Sequence, residues 1–184
     1  MRAIMITVCA LVALGRLTPL QAQQPHEGFW SGFAPGGAGW VELPDSSGFS
    51  ERFGYPFYLR LGGTLNPRVL LGIEAYSVIW NLPFNVTGPS SDYRASYDLT
   101  AIALLYPSPN AGLFIKPGVG ISATGAGTGT TIGFGSTLGV GYDVRVRRSV
   151  YLTPNVDVLM LTIPFGPPAD LRIGYFFTLG VTWH

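Results

Sequence analysis

The chain has 184 residues, enough for one domain, and its 47% hydrophobic but only 11% charged composition, with a formal net charge of +1, excludes a disordered chain and a nucleic-acid binder. Its 25 glycines disfavour a mainly helical protein, and beyond the N-terminus no apolar run reaches the roughly 18 residues of a membrane-spanning helix. A mean hydropathy of +0.33 without such a helix predicts an all-β protein, with either a buried core or a transmembrane barrel.

The N-terminal segment, residues 1–22, is predicted to be a signal peptide. A positive start at Arg2 precedes an apolar run from Ala3 to Leu14, and Ala22 stands before a polar stretch. Arg16 is an unusual charge for such a segment, and the alternative is a first buried helix of the domain. The only cysteine, Cys9, lies here, so the predicted mature chain, residues 23–184, has neither a disulfide nor a catalytic thiol.

The mature chain contains eight segments in which apolar residues alternate with small or polar ones, a pattern typical of strands. The first is glycine-broken and extends from Gly28 to Leu43. The apolar positions of the other seven begin and end at Phe53 and Leu61, Val69 and Ile73, Tyr93 and Leu105, Leu113 and Ile121, Ile132 and Val144, Val150 and Met160, and Leu171 and Trp183. Their lengths are near the roughly 9–11 residues that a tilted strand needs to cross a bilayer.

The connections between these segments are predicted to alternate in length. Longer ones follow the first, third, fifth and seventh segments, at residues 44–51, 81–92, 124–129 and 162–170. Short turns follow the second, fourth and sixth, at residues 65–67, 107–110 and 147–148. Outer-membrane barrels have short periplasmic turns and longer external loops. The pattern therefore predicts that the long loops and the short turns lie at opposite ends of a barrel, with both chain termini at the turn end.

The apolar face of each strand is expected to meet lipid. The opposite face carries mostly Gly, Ser and Thr, which suits a narrow interior better than a solvated surface, and the chain has a single lysine, Lys116. Aromatic residues also gather near the strand ends, as in interfacial belts. A secreted soluble lipocalin-like barrel, suggested by Gly28-Phe29-Trp30, would instead bury the apolar face and remains an alternative.

The C-terminal segment carries the most specific resemblance. Residues 175–184 are similar to the last strand by which bacterial outer-membrane barrels are recognised for assembly, shifted by one residue because His184 follows the aromatic Trp183. Residues 106–120 resemble the hairpin between the fourth and fifth strands of small outer-membrane barrels such as the OmpA, OmpX and OmpW-like proteins. The resemblance implies an all-β, eight-stranded antiparallel up-and-down transmembrane β-barrel in the bacterial outer membrane. The implied assembly signal consists of Tyr175, Phe177, Leu179, Val181 and Trp183.

No catalytic or metal-binding pattern stands out in the sequence. Lipid-modifying barrels of this size use a histidine with a serine and a carboxylate near the external loops, whereas His26 and His184 lie at the opposite, turn end. Two distant histidines offer no metal-ligand spacing. The glycine-rich residues 125–131 lack the lysine of a phosphate-binding loop. We therefore expect neither an enzyme nor a cofactor.

Seven charged residues are expected inside the barrel: Arg60, Glu74, Asp98, Lys116, Asp143, Asp157 and Arg172. Arg60 and Glu74 flank one turn at similar height, and Asp98 and Lys116 flank the next turn less symmetrically. Glu42 and Arg172 come together only if the barrel closes. Because eight strands leave an interior just wide enough for side chains, interior ion pairs that plug the barrel are predicted, with a polar path for solutes as the alternative.

The function predicted from the sequence is that of a monomeric, non-enzymatic outer-membrane barrel with a structural role or a binding role through its exposed loops. The alternative is a narrow channel for small apolar or amphipathic solutes. The expected partners are outer-membrane lipid and lipopolysaccharide, and the barrel assembly machinery during biogenesis. A net charge near zero suggests no nucleic-acid partner.

Overall fold

The computed structural model describes residues 27–45, 48–80, 94–126, 129–163 and 170–184. They form ten strands: β1 (Phe29–Ala34), β2 (Gly37–Asp45), β3 (Gly48–Asn66), β4 (Val69–Trp80), β5 (Arg94–Leu105), β6 (Leu113–Ala126), β7 (Gly129–Tyr142), β8 (Val144–Arg147), β9 (Val150–Ile163) and β10 (Asp170–Trp183). Within these ranges no helix has the length and hydropathy needed to cross a membrane. The predicted signal peptide lies outside the described residues.

The ten strands form one closed barrel of eight staves, where a stave is a strand, or two consecutive strands, that crosses the barrel wall from one end to the other. Pro35 and Gly36 interrupt the first stave between β1 and β2, and Asp143 interrupts the sixth between β7 and β8. All pairings are antiparallel, and β10 pairs with β9 on one side and with β1 and β2 on the other. Closure matters because an open edge would leave backbone groups unpaired in lipid. The predicted eight-stranded antiparallel barrel is confirmed.

The connections differ from the predicted pattern at three places. The ladder between β2 and β3 continues to the pair Asp45↔Gly48, and the ladder between β6 and β7 continues to Ala126↔Gly129, so most of two predicted loops is strand. At the other end, residues 106–112 form a longer connection than the turn predicted at 107–110. Polar and glycine-rich segments were predicted as loops, but backbone pairing does not require apolar side chains. The predicted loop at 81–92 lies outside the described residues, as does most of that at 162–170.

The outer wall of the barrel is apolar. In β3, the side chains of Leu59 and Leu61 are 49% and 38% exposed, whereas Arg60 between them is 1% exposed. The same alternation holds in β5, where Leu99 is exposed and Asp98 is buried. A soluble lipocalin-like barrel needs the opposite arrangement. The outward apolar face therefore follows the prediction and contradicts the soluble alternative.

Spin labels at Leu59, Leu99 and Ile173 are expected to contact lipid when the protein is reconstituted into liposomes, because all three side chains lie on the outer wall. Oxygen, which concentrates in the bilayer, should relax these labels more strongly than a water-soluble nickel chelate. A label at the buried Ser96 is the inward control and should show no such preference. Equal lipid contact at Ser96 would contradict the assigned faces.

Candidate functional site

Four buried charged side chains meet in the middle of the lumen. Glu74 of β4 lies opposite Arg60 of β3, and Arg60 Nε donates a hydrogen bond to Glu74 Oε2. Lys116 Nζ donates to both Glu74 oxygens, at 2.6 and 2.8 Å. Asp157 Oδ1 lies 2.9 Å from Lys116 Nζ, and Asp157 Oδ2 lies 3.5 Å from Arg60 Nη2. Two cations thus alternate with two anions, and the central ion network, Arg60, Glu74, Lys116 and Asp157, is formally neutral.

Neighbouring polar and aromatic groups support the central ion network. The Arg60 guanidinium lies 3.6 Å from the centre of the Tyr58 ring, and Lys116 Nζ lies 5.6 Å from that of Tyr76. Asn155 Oδ1 accepts a hydrogen bond from Arg60 at 3.4 Å, and Asn155 Nδ2 donates one to the Tyr58 hydroxyl at 3.0 Å. Buried charges are costly unless each is paired and hydrogen-bonded. Here each charge contacts two groups of opposite sign, which makes the arrangement stable only as a complete set.

A glycine gives two of these side chains room to meet. Lys116, Gly139 and Asp157 stand side by side on β6, β7 and β9. A Cβ on Gly139 would collide with Asp157 Oδ1 and would lie 3.1 Å from Lys116 Cε. The long Lys116 side chain therefore reaches Asp157 across a strand that presents no side chain at this position. This explains how residues of non-adjacent strands form an ion pair.

Apolar side chains close the lumen on both sides of the central ion network. The cluster in the loop-side half consists of Ala34, Val41, Tyr58, Tyr76, Val78, Leu159 and Phe176. The cluster in the turn-side half consists of Trp30, Leu70, Ile102, Leu104, Tyr106 and Phe114. Trp30 occupies the space above Gly62 and Gly72, where an added Cβ would lie within 2.8 Å of its ring. The lumen on both sides of the central ion network is therefore packed with apolar side chains.

A second polar network lies at the turn end of the lumen. Asp143, at the break between β7 and β8, accepts hydrogen bonds from the Tyr106 hydroxyl and from Thr153 Oγ1, both at 2.6 Å. Thr153 Oγ1 lies 2.9 Å from Thr182 Oγ1, so Thr182 donates to Thr153. Burial and, after it, the Asp143 carboxylate raise the pKa of Tyr106 well above its usual value. The phenol therefore stays protonated and donates a hydrogen bond to Asp143. This turn-side network links β9 and β10 to Tyr106, in the connection between β5 and β6, and to Asp143, between β7 and β8.

The structure places the seven charges predicted for the interior in three different settings. Arg60, Glu74, Lys116 and Asp157 form the central ion network, and Asp143 belongs to the turn-side network. Asp98 and Arg172 line a small loop-side cavity of about 30 Å³.

Asp98 and Lys116, which flank one turn, do not form one of the predicted interior ion pairs. Asp98 pairs in register with Ser122, six residues along β6 from Lys116, which corresponds to roughly 20 Å at about 3.3 Å per residue. Lys116 instead reaches Glu74 and Asp157. The register also does not support the predicted pairing of Glu42 with Arg172, because Glu42 lies opposite Ile173, one residue out of phase with Arg172. The side chain of Glu42 lies outside what the structure describes.

Sequence reasoning did not identify Tyr58, Tyr76, Asn155 and Gly139 as parts of this site. The alternation does indicate them, because each occupies an inward-facing position, like a predicted interior charge on the same strand or on the neighbouring strand. Tyr58 and Tyr76 are each two residues from Arg60 and Glu74, and Asn155 is two residues from Asp157. These residues were not singled out because none of them is charged: two are aromatic, one is an amide and one is glycine.

The predicted assembly signal forms the outer face of β10. Tyr175, Phe177, Leu179 and Trp183 are exposed on this face, and Val181 is half-buried. At the end of the strand, the backbone amide of His184 donates to Ser149, and its ring meets Tyr151 edge-on at 5.0 Å. His26 lies outside the described residues. Among those described, no group of three His, Cys, Asp or Glu side chains could hold a metal ion.

Comparison with known proteins places this architecture among solved outer-membrane barrels. Neisserial surface protein A is 18% identical, with a TM-score of 0.52 over 85% of this chain and 97% of that chain. Ail, the attachment invasion locus protein of Yersinia pestis, is 11% identical, with a TM-score of 0.50 over 86% and 100%. Ail in complex with the heparin analogue sucrose octasulfate is 9% identical, with a TM-score of 0.51 over the same shares.

No protein-family model matches the sequence, and no curated protein matches it. At these identities the solved structures establish the fold. The predicted location in the bacterial outer membrane agrees with that fold and with the apolar outer wall. The chain therefore has the fold of the small eight-stranded outer-membrane β-barrels, as the sequence predicted.

Proposed function

We propose that this protein is a monomeric, non-enzymatic outer-membrane barrel with a closed lumen, and that it acts by binding through its loop-side surface. The observation that carries this proposal is the filling of the lumen. The central ion network is buried between two apolar clusters, so a solute would have to displace paired charges and packed aromatic rings. Conduction through this interior would cost far more than in a water-filled barrel.

A projecting hairpin favours the loop side as the binding surface. The pairing of β3 with β4 ends at Gly54↔Trp80, whereas β3 continues to pair with β2 as far as Asp45↔Gly48. The six residues 48–53 therefore extend roughly 20 Å beyond Trp80, the last residue of β4 that the structure describes, at about 3.3 Å per residue. The wall faces lipid and the lumen is filled, so among the residues that the structure describes this hairpin is the feature best placed to reach a partner outside the membrane.

The remaining partners follow from the same placement. Outer-membrane lipid and lipopolysaccharide would surround the apolar wall, and the barrel assembly machinery would recognise the outward residues of β10 during biogenesis. Strand β10 is the natural point of closure, because it pairs with β9 along its whole length and with both parts of the first stave.

The protein is expected to give no discrete conductance steps in planar lipid bilayers and no swelling of sugar-loaded liposomes, because its lumen is packed. A general porin inserted under the same conditions is the positive control, and heat-modifiable electrophoresis establishes that the barrel is folded. Reproducible conductance steps from the folded barrel would contradict the closed lumen and favour the narrow-channel alternative.

A further inference from the structure

A cluster of positive charge lies at the turn end of the barrel, where β8 meets β9. Arg147 and Arg148 are exposed and Arg145 is half-buried, so three guanidinium groups belong to the four residues 145–148. None of the three forms a salt bridge with another residue that the structure describes. Like charges this close repel one another, and protein surfaces usually intersperse charges of both signs. The arginine turn, Arg145, Arg147 and Arg148, therefore carries a charge that an anionic partner would neutralise.

One arginine of this turn holds the backbone that carries the other two. Arg145 Nε donates a hydrogen bond to the carbonyl oxygen of Arg147 at 3.3 Å, and Arg145 Nη2 donates one to that of Arg148 at 3.4 Å. The backbone amide of His184 donates to the carbonyl oxygen of Ser149 at 3.2 Å, which ties the turn to the end of β10. Binding to a backbone that is already held in place costs less conformational entropy than binding to a free loop.

The strand register places Arg147 at the depth of the lipid headgroups. Arg147 lies opposite Val150, and Val150 lies opposite Trp183, so the three residues share one row on one face of the sheet. Trp183 is 42% exposed on the outer wall, and a tryptophan at the end of a membrane-crossing strand is typical of the interface. Only Arg148 and Ser149 separate Arg147 from Val150, so this turn stays near the headgroups and does not project towards a distant partner.

We propose that the arginine turn binds the headgroup of one anionic phospholipid, such as phosphatidylglycerol, in the leaflet at the turn end of the barrel. This inference rests on the proposed placement of the barrel with its loop side outward, which puts the turn end in the periplasmic leaflet. The exposed guanidinium groups of Arg147 and Arg148 match phosphate oxygens in geometry as well as in charge. Phosphatidylglycerol keeps a net negative charge, whereas the ammonium group of phosphatidylethanolamine offsets its phosphate and would meet like charges here. The arrangement therefore favours the anionic lipid.

Native mass spectrometry of the full-length folded protein, with phosphatidylglycerol and phosphatidylethanolamine as probes, tests this inference. The wild type is expected to retain one phosphatidylglycerol in preference to phosphatidylethanolamine. Arg147→Gln should bind phosphatidylglycerol about fivefold more weakly, the factor that one basic residue contributes beside an anionic membrane surface. Arg68→Gln is the matched control, because it removes the same charge from an exposed residue at the turn end but lies across the barrel, between β3 and β4. It should bind like the wild type, and heat-modifiable electrophoresis establishes that each variant is folded.

Three outcomes would overturn the inference. Equal retention of the two lipids by the wild type would show that the arginine turn does not select an anionic headgroup. Equal phosphatidylglycerol binding by Arg147→Gln and Arg68→Gln would show that no site is centred on this turn. Sedimentation of the wild type, but not of Arg147→Gln, with purified peptidoglycan, without a lipid preference, would identify the cell wall as the partner. Failure of the proposed function is distinguishable, because it would appear as conductance or as absence from the outer membrane in the wild type itself.

Discussion

Replacing Glu74 with alanine is expected to prevent stable folding of the barrel or to lower its free energy of unfolding by about 3–5 kcal/mol, the usual effect of removing one partner from a buried ion pair. Glu74, like Asp157, contacts both Arg60 and Lys116, and it accepts hydrogen bonds from both of them. Without it, two cations would face the single carboxylate of Asp157 in a region with no access to solvent. The measurements are heat-modifiable electrophoresis and urea unfolding in lipid vesicles.

Two further variants serve as comparisons for Glu74→Ala. Glu74→Gln keeps the shape of the side chain and one acceptor oxygen, so it should lie between the wild type and Glu74→Ala. Glu27→Ala removes an exposed carboxylate outside the barrel strands and should change unfolding little. If Glu74→Ala unfolds at the same urea concentration as Glu27→Ala, the central ion network does not stabilise the barrel.

The architecture was predictable because a barrel wall imposes a strict period of two on the chain. The alternation around Arg60 and Asp98 was enough to assign their strands to faces, and Arg60 and Glu74 were placed opposite each other because a tight turn leaves little freedom of register. Local pairing of this kind depends only on neighbouring strands and the turn between them.

Contacts across the lumen were not predictable in the same way. Lys116 reaches Glu74 on β4 and Asp157 on β9, and neither strand is next to β6. Such contacts depend on barrel closure, on the lengths of opposing side chains and on the absence of a side chain at Gly139. The sequence prediction considered only adjacent strands and therefore grouped Lys116 with Asp98, which lies far from Lys116 along the barrel axis.

The ends of the strands were also poorly predicted, for a related reason. Residues 48–51 contain glycine, serine and glutamate, which made them resemble a loop, yet their backbone pairs with β2. Composition marks where side chains can be buried, whereas the ladder extends wherever two backbones stay adjacent. The side-chain pattern therefore did not predict the projecting hairpin, on which the proposed binding role depends.

Gly139→Ala is expected to destabilise the barrel by at least about 3 kcal/mol, because the overpacking would also separate a buried ion pair. In an ordinary strand, the methyl group of alanine instead stabilises the fold slightly relative to glycine. The new Cβ would collide with Asp157 Oδ1 and crowd Lys116 Cε. Relief requires Asp157 to move away from Lys116, which leaves Lys116 with Glu74 alone. The loss would be measured as the shift in the urea midpoint in vesicles, multiplied by the slope of the unfolding transition.

Gly63→Ala is the matched control for that prediction. Gly63 is exposed on β3, and an added Cβ there meets nothing within 4 Å, so the same chemical change should be neutral or slightly stabilising. Comparison of the two variants separates the general effect of alanine in a strand from the steric requirement at Gly139. Equal unfolding midpoints would contradict the packing of Lys116 and Asp157 over Gly139. A large difference would show that a residue without a side chain is required for the charges of this barrel to neutralise one another.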